Sequence, residues 1–168
     1  MTLSMYASSV PVFIHKLSNL SAILDKAAAY SEAKKIDQSV LMNARLFPDM
    51  FSLSRQIQIA CDTVTTGAAR LAEIEFTKSE DTESNFAELQ ARIATTIAFL
   101  ETIKAEQIDG KEAFNIVYTQ RNKERRFVGQ PYLLNYLLPN LYFHITAAYA
   151  ILRHNGVEIG KKDYLGNY

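Results

Sequence analysis

The sequence predicts an all-α protein, a four-helix bundle with a short β-hairpin or extended insert before its last helix. Two observations support this prediction. Apolar residues recur at spacings of three and four in four separate stretches, which is the period of an amphipathic α-helix. Between the third and fourth stretches the period changes to two, which is typical of a β-strand. Four such helices fit a bundle with one long crossover connection, between helices two and three or three and four.

The first helix is predicted from about residue 10 to about residue 33, where apolar residues form one continuous stripe. Ser9 can cap this helix, and Pro11 suits its first turn because the missing N–H is not needed there. Asp37 then looks like the N-cap of a short helical turn that reaches Asn43. The predicted buried stripe of the first helix consists of Val10, Phe13, Ile14, Leu17, Leu20, Leu24 and Ala28.

The second long helix is predicted to begin near Pro48. Its apolar stripe consists of Met50, Leu53, Ile57, Cys61, Val64, Ala68 and Leu71. Arg55, Asp62 and Arg70 project away from that stripe and are interpreted as a solvent-facing side. The third helix can be capped at residue 82 or 84 and is predicted to run to about residue 105. Its stripe consists of Phe86, Leu89, Ile93, Ile97, Leu100 and Ile103.

The section after the third helix predicts the hairpin, because residues 114–119 alternate and residues 125–128 can return as a second strand. Residues 132–138 form an apolar run that predicts a short helix. Pro139 fits the first turn of helix four, and Asn155-Gly156 supplies its stop. The tail from Lys161 to Tyr168 is expected to be extended over the surface.

Composition and charge indicate one soluble domain. The chain has 168 residues and 19.0 kDa, enough for one sizeable core, so residues 1–168 are predicted to form a single domain. Hydrophobic residues make up 48%, which argues against disorder. Eighteen basic residues balance eighteen acidic ones, which argues against nucleic-acid and membrane-surface partners. With no signal peptide and no membrane-spanning stretch visible, we expect a cytoplasmic protein.

His144 is the leading candidate for a catalytic or binding residue. At 100° per residue, Asn140 lies at about −40° and Ala148 at about +40° from it on the helical wheel. The ring therefore points toward the bundle interior beside an amide. One interpretation is a neutral core histidine with both nitrogens hydrogen-bonded. The other is a ligand or a catalytic group, since a buried imidazole is also the commonest metal ligand.

Other polar residues offer weaker candidates. Asp49 and Gln56 lie on one flank of the second helix's stripe, two turns apart, and Gln58 lies on the other flank. Each is either an ordinary boundary residue or part of a site. Cys61, the single cysteine, lies in the core stripe and is expected to be inert. Four tyrosines near helix four could line a pocket or a dimer face: Tyr132, Tyr136, Tyr142 and Tyr149.

Several familiar site classes are excluded because their ligands are not present at the required spacing. The sequence contains no glycine-rich phosphate loop, no Gly-x-Ser-x-Gly and no His-Glu-x-x-His. It also contains no Glu-x-x-His pair, so a ferritin-like di-iron site is excluded.

A family resemblance is carried by these segments: Ser9–Phe13, Leu20–Lys26, Asn43–Leu46, Pro48–Met50, Arg55–Asp62, Pro139–His144, Ala148–Gly156 and Gly160–Gly166. They resemble a bacterial family of unknown function grouped with the DinB/YfiT-like four-helix bundles, many of which are assigned as metal-dependent enzymes. The resemblance covers nearly the whole chain.

The resemblance implies a divalent-metal site with three histidines, one from helix two and two from helix four in a His-x-x-x-His-x-x-Gln arrangement. In this sequence the second of those two histidines falls on His144. The first falls on Asn140 and the glutamine on Ala147, while the helix-two ligand falls near Gln56 or Gln58. One of three imidazoles remains, and amide oxygens are poor ligands for zinc or nickel. The resemblance therefore implies a degraded metal site.

Three hypotheses follow. The first is a DinB-like protein of unknown activity that binds a small molecule in the bundle cavity, beside Asn140, His144, Gln56 and Asp49. The second is a metal-dependent hydrolase or thiol-transferase-like enzyme that uses His144. The third is a non-catalytic homodimeric helical protein. We expect a homodimer and no resident cofactor, with zinc or nickel held weakly by His144 as the disfavoured alternative.

Overall fold

Four long helices form the bundle in the computed structural model, which describes residues 4–120 and 122–167. The helices in chain order are α1 (Val10–Lys34), α2 (Gln38–Asn43), α3 (Leu53–Ala72), α4 (Phe86–Glu101), α5 (Ala105–Ile108), α6 (Gly129–Tyr132), α7 (Leu138–His154) and α8 (Lys161–Leu165). The strands β1 (Asn115–Gln120) and β2 (Lys123–Val128) precede α6. The predicted helical bundle with a hairpin before the last long helix is confirmed.

Helix packing gives the order of the bundle. α1 packs against α4 and α7, and α3 packs against the same two helices, so the order around the bundle is α1, α4, α3, α7. The chain therefore crosses the bundle twice, between α1 and α3 and between α4 and α7. The second of these crossings was one of the two predicted alternatives, and the first was not predicted. The predicted stripes supply most of the core, and Phe13, Ile57, Leu89 and Ile151 are all fully buried or nearly so.

The start of the second long helix differs from the prediction. Pro48 and Asp49 lie in an exposed turn, and α3 begins only at Leu53. The N–H of Leu53 donates a hydrogen bond to the carbonyl of Ala44, so the intervening residues loop out instead of extending the helix. Asp49 is consequently not on the helix that carries Gln56, and the predicted pairing of these two residues on one helical flank is wrong.

Two helix caps also differ from the prediction. The Ser9 hydroxyl makes no cap and donates to the carbonyl of Met5 at 2.7 Å. α4 is capped by Asn85, whose side-chain oxygen accepts from the N–H of Glu88 at 2.9 Å. α4 ends at 101 rather than near 105, because a tight turn and α5 follow it.

The hairpin is antiparallel and lies against the bundle. Asn115 pairs with Val128 at one end and Gln120 with Lys123 at the other, so the second strand begins two residues earlier than predicted. Ile116 is buried in the core, which supplies the packing that an isolated two-stranded ribbon lacks.

The chain from Gly129 to His154 is helical throughout, whereas two separate helices were predicted. A π-helical turn, Leu133–Leu137, joins α6 to α7. In it the N–H of Leu138 donates to the carbonyl of Leu133, five residues earlier. Pro139 follows directly, and its missing N–H and its ring disfavour a regular α-helical turn here.

The tail is not extended as predicted, because residues 161–165 form α8, which packs on α1. His15 anchors this helix by donating from Nε2 to the carbonyl of Leu165 at 2.8 Å. Within the described part of the chain, no helix has the length and apolar character needed to cross a membrane.

Candidate functional site

A cleft of about 490 Å³ lies between α3 and the helical segment that contains the π-turn and α7. Its rim is completed by Gln120 from the hairpin, by Phe76 and Lys78 from the connection after α3, and by Phe51, which lies just before α3. The wall from α3 consists of Arg55, Ile59, Asp62, Thr63, Thr66 and Arg70. The opposite wall consists of Tyr132, Tyr136, Leu137, Asn140 and His144.

His144 is buried in this wall, with 8% of its surface exposed. Its Nδ1 lies 2.7 Å from the side-chain oxygen of Gln56 on α3. The amide nitrogen of Gln56 donates to the carbonyl of Phe51, which turns the amide oxygen toward the imidazole. An oxygen can only accept, so Nδ1 carries the proton in the neutral ring. The lone pair of the neutral imidazole is therefore on Nε2.

Two effects keep this imidazole neutral. Burial lowers the pKa of His144 below its ordinary value of 6.5, and the nearby positive charge of Arg55 lowers the pKa further. Nε2 has no hydrogen-bond partner among the described residues, and this atom is accessible to solvent. The arrangement therefore presents one basic nitrogen, held in a fixed tautomer, on the wall of an open cleft.

The π-turn positions the residues beside His144. A side chain at Gly67 would collide with Leu137, so this glycine lets the π-turn approach α3 closely. The side-chain nitrogen of Asn140 donates to the carbonyl of Tyr136 at 2.6 Å. The amide oxygen of Asn140 takes no part in this hydrogen bond and can act as an acceptor. The predicted neighbours Asn140 and His144 therefore lie in the same cleft wall.

Of the other predicted site residues, some contact the site and others lie outside it. Gln56 contacts His144 directly, as described, whereas Gln58 donates to Glu83 at 2.8 Å and does not line the cleft. Asp49 is exposed in the turn before α3 and is absent from the cleft lining. Cys61 is buried, and burial raises the pKa of its thiol to about 12.

The four tyrosines near the last long helix fall into two groups. Tyr132 and Tyr136 stack on each other in the cleft, with ring centroids 5.5 Å apart. Tyr149 packs against Tyr164 of α8 instead, and Tyr142 lies in a separate groove. Tyr136 therefore lines a pocket, which was one of the two predicted alternatives, and Tyr132 is fully buried beside it.

The charged wall of the cleft was not predicted from the sequence. The side of α3 that was interpreted as facing solvent lines the cleft with Arg55, Asp62 and Arg70. A pattern was present, because these residues together with Ile59 and Thr66 recur at spacings of three and four and form a second stripe on α3. A polar stripe looks the same in sequence whether bulk water or a cleft lies above it.

A family comparison then identifies the relationship. Residues 5–165 match the model described as Domain of unknown function (DUF1993). The chain belongs to the DUF1993 family. This DUF1993 chain is also similar to a solved structure, the crystal structure of a DinB family member protein from Shewanella denitrificans. The identity is 46% and the TM-score 0.89, and the match covers 97% of this chain and 92% of that one.

A comparison with curated proteins gives no match. The DUF1993 match and the Shewanella structure together confirm the predicted relationship to DinB-like proteins and the predicted fold class.

The donor set of this DUF1993 chain does not fit the three-histidine metal site that the resemblance implies. His144 supplies one imidazole nitrogen. The oxygen of Gln56 already accepts the Nδ1–H of His144, and Asn140 offers only a neutral amide oxygen. Among residues 4–120 and 122–167, no group of three or more His, Cys, Asp or Glu side chains could hold a metal ion. We therefore assign no chemical step to a metal.

A buried ion-pair network lies behind the charged wall of the DUF1993 cleft. Arg92 of α4 binds Asp62 at 2.6 Å, Asp81 at 3.1 Å and Glu83 at 2.7 Å. Asp81 and Glu83 belong to the connection between α3 and α4, which also carries Phe76 and Lys78 of the cleft rim. Arg92 thus ties this connection to both helices.

Proposed function

We propose that the chain binds a small organic molecule in the cleft between α3 and α7. In this proposal Nε2 of His144 accepts a hydrogen bond from a hydroxyl or N–H group of that molecule. One observation carries the proposal: Nδ1 of His144 is fixed by Gln56, while Nε2 lies on the cleft wall without a partner among the described residues.

The size and lining of the cleft support this function. Its volume of about 490 Å³ is within the range of small-molecule sites, roughly 300–1,000 Å³. Aromatic rings of Phe51, Phe76 and Tyr136 supply apolar surface, and a few polar groups can fix orientation. A binding site needs this combination, because apolar contact supplies affinity and placed polar groups supply specificity.

The alternative of a metal-dependent hydrolase or thiol-transferase is not favoured, because the donor set does not fit the metal. A neutral histidine with a free Nε2 can also act as a general base for a bound hydroxyl. Turnover of a bound molecule is the measurement that tests this general-base role.

Phenol is a suitable probe, since its hydroxyl can donate to Nε2 and its ring can lie against the aromatic lining. We expect saturable phenol binding to the wild type in ligand-observed NMR titrations. His144→Ala should weaken it roughly two- to tenfold, the cost of one hydrogen bond of about 0.5–1.5 kcal/mol. His154→Ala is the matched control, because His154 is exposed at the end of α7. Equal affinity in the His144 variant and wild type would contradict the proposal.

A homodimer is the second proposal, and an exposed apolar patch supports it. Phe47, Phe51 and Phe143 are 64%, 49% and 57% exposed, far more than core aromatics. A neighbouring groove of about 380 Å³ is lined almost entirely by apolar atoms of α7 and the turn before α3. Exposed aromatic side chains and an apolar groove of this kind are typical of protein–protein interfaces.

Sedimentation across a range of protein concentrations tests the dimer. Phe143→Ser should shift the equilibrium toward monomer. Val117→Ser, on the exposed face of β1, should leave the equilibrium unchanged. A wild type that sediments as a monomer at every concentration would rule the dimer out.

A further inference from the structure

Arg70 is a cleft arginine without a carboxylate partner among the described residues. The other arginines in and behind the charged wall are paired, Arg55 with Asp81 and Arg92 with three carboxylates. Arg70 instead makes one hydrogen bond, from Nη1 to the hydroxyl of Tyr132 at 3.0 Å. A guanidinium has five N–H donors, so most of its donors are unused.

The side chain of Arg70 is held in place although it lacks an acidic partner. Its guanidinium carbon lies 3.5 Å from the centre of the Tyr118 ring, a close cation–π contact. The Tyr132 hydroxyl fixes the same group from the opposite helix. A cation ordered in advance loses little conformational freedom when it binds an anion, which favours recognition.

No phenolate neutralises this cation. Burial raises the pKa of Tyr132, and burial together with the neighbouring tyrosines raises that of Tyr118, so both hydroxyls stay protonated at neutral pH. The positive charge of Arg70 therefore has no anionic partner on the aromatic side of the cleft.

The remaining charges of the cleft do not supply an anion either. Arg55 is paired with Asp81, and Asp62, the one carboxylate of the lining, is bound by Arg92 at 2.6 Å and lies 3.8 Å from Lys78. His144 is neutral for the reasons given above. Among the described residues of the lining, Arg70 is therefore the cation that has no carboxylate partner, and its charge favours an anionic ligand.

We propose that Arg70 is the anion-recognition residue of this cleft and that its ligand is a small organic carboxylate with an aromatic or apolar body. This inference rests on the proposed function, since it names the ligand class of the same cleft. The guanidinium fork matches a carboxylate with two parallel hydrogen bonds. Tyr136 and Phe76, which line the cleft and are half-buried, provide the surface for the ligand body.

A carboxylate fits better than a phosphate dianion. Arg70 lies in the last turn of α3, where the helix dipole carries partial negative charge. Phosphate sites commonly use the opposite end of a helix, where free N–H groups and a positive partial charge meet the ligand. A singly charged group is therefore the better match for this position.

Benzoate and benzamide form the test pair, because they share size and shape and differ in charge. Affinities are measured by ligand-observed NMR for the wild type, Arg70→Gln and Arg126→Gln. Arg126 is an exposed arginine on the hairpin and serves as the matched control. We expect Arg70→Gln to weaken benzoate binding about tenfold or more, with benzamide affinity changed less than about threefold. Arg126→Gln should change neither.

The outcomes separate the two proposals. If benzoate and benzamide bind alike and Arg70→Gln changes neither, the anion assignment is overturned while ligand binding in the cleft stands. If inorganic phosphate rather than benzoate binds with dependence on Arg70, the carboxylate assignment is overturned. If Arg70→Gln also loses phenol and benzamide, Arg70 supports the cleft structure and the recognition role is overturned. If phenol binds with dependence on His144 and benzoate does not bind, only this inference fails.

Discussion

Removal of Arg92 is the sharpest test of how the cleft wall is built. The side chain is 3% exposed and binds three carboxylates, those of Asp62, Asp81 and Glu83, at 2.6, 3.1 and 2.7 Å. It also donates to the carbonyl of Glu80 at 3.0 Å. Arg92→Met keeps the length and apolar character of the stem but removes the charge and every one of these hydrogen bonds.

The expected loss of stability depends on which partners the three carboxylates keep without Arg92. Breaking a buried ion pair by removing one partner costs about 3–5 kcal/mol, because the other charge stays buried without compensation. Glu83 contributes most to this cost, because its side chain is the least exposed of the three carboxylates, at 10%. Asp81 keeps Arg55, and Asp62 keeps a distant contact with Lys78 at 3.8 Å, which offsets part of the cost. We therefore expect a loss of about 3 kcal/mol, a large share of a typical free energy of unfolding of about 5–15 kcal/mol.

Urea denaturation measures this loss. Arg126→Met is the matched control, since its single ion pair with Glu124 joins side chains that are both more than half exposed. The control should lose less than about 1 kcal/mol. Arg92→Lys should fall between the two, because lysine keeps the charge but not the forked geometry. A loss below about 1 kcal/mol for Arg92→Met would refute the view that this network holds the connection between α3 and α4.

Three further predictions concern pH, thiol reactivity and packing. The lowered pKa of His144 means that the unfolded chain binds more protons below about pH 6.5, so stability should fall as pH drops through that range. His144→Phe should flatten this fall, and an unchanged profile would contradict the assignment. Cys61, with its pKa raised to about 12, should react with a thiol reagent at pH 8 only on unfolding, and rapid labelling of the folded protein would contradict this. A Cβ at Gly129 would collide with the Lys111 carbonyl, so Gly129→Ala should destabilise by about 1–3 kcal/mol in urea melts. Gly160→Ala meets open space and should be nearly neutral, and equal losses in the two variants would count against the packing argument.

The long helices and the hairpin could be predicted because their apolar periodicity is a local property of the sequence. The start of α3 was predicted wrongly, because Pro48 suits a first helical turn by propensity but lies in the turn before the helix. The hydrogen bond from Leu53 to the carbonyl of Ala44 depends on how the chain folds back after α2, and no local pattern records it. The tail shows the same limit, since α8 depends on packing against α1 and on the anchor from His15.

The candidate site could be predicted only along one helix. His144 and Asn140 were found because both face inward from a single amphipathic helix. The role of Gln56 was open, because the register between α3 and α7 is a tertiary property. Arg70 was assigned to the solvent side, since the hairpin and the π-turn that cover it lie more than 40 residues later in the chain.

The pair of Gln56 and His144 links the family relationship to the proposed chemistry. A metal-binding histidine needs a partner on one ring nitrogen, so that the other presents its lone pair in a fixed direction. His144 has such an arrangement, with an amide oxygen on Nδ1 and no partner on Nε2 among the described residues. A lone pair held in this way can also accept a hydrogen bond from a hydroxyl or N–H group of an organic molecule. With Arg70 as the cation of the same cleft, the proposed ligand has a carboxylate for one residue and a hydrogen-bond donor for the other.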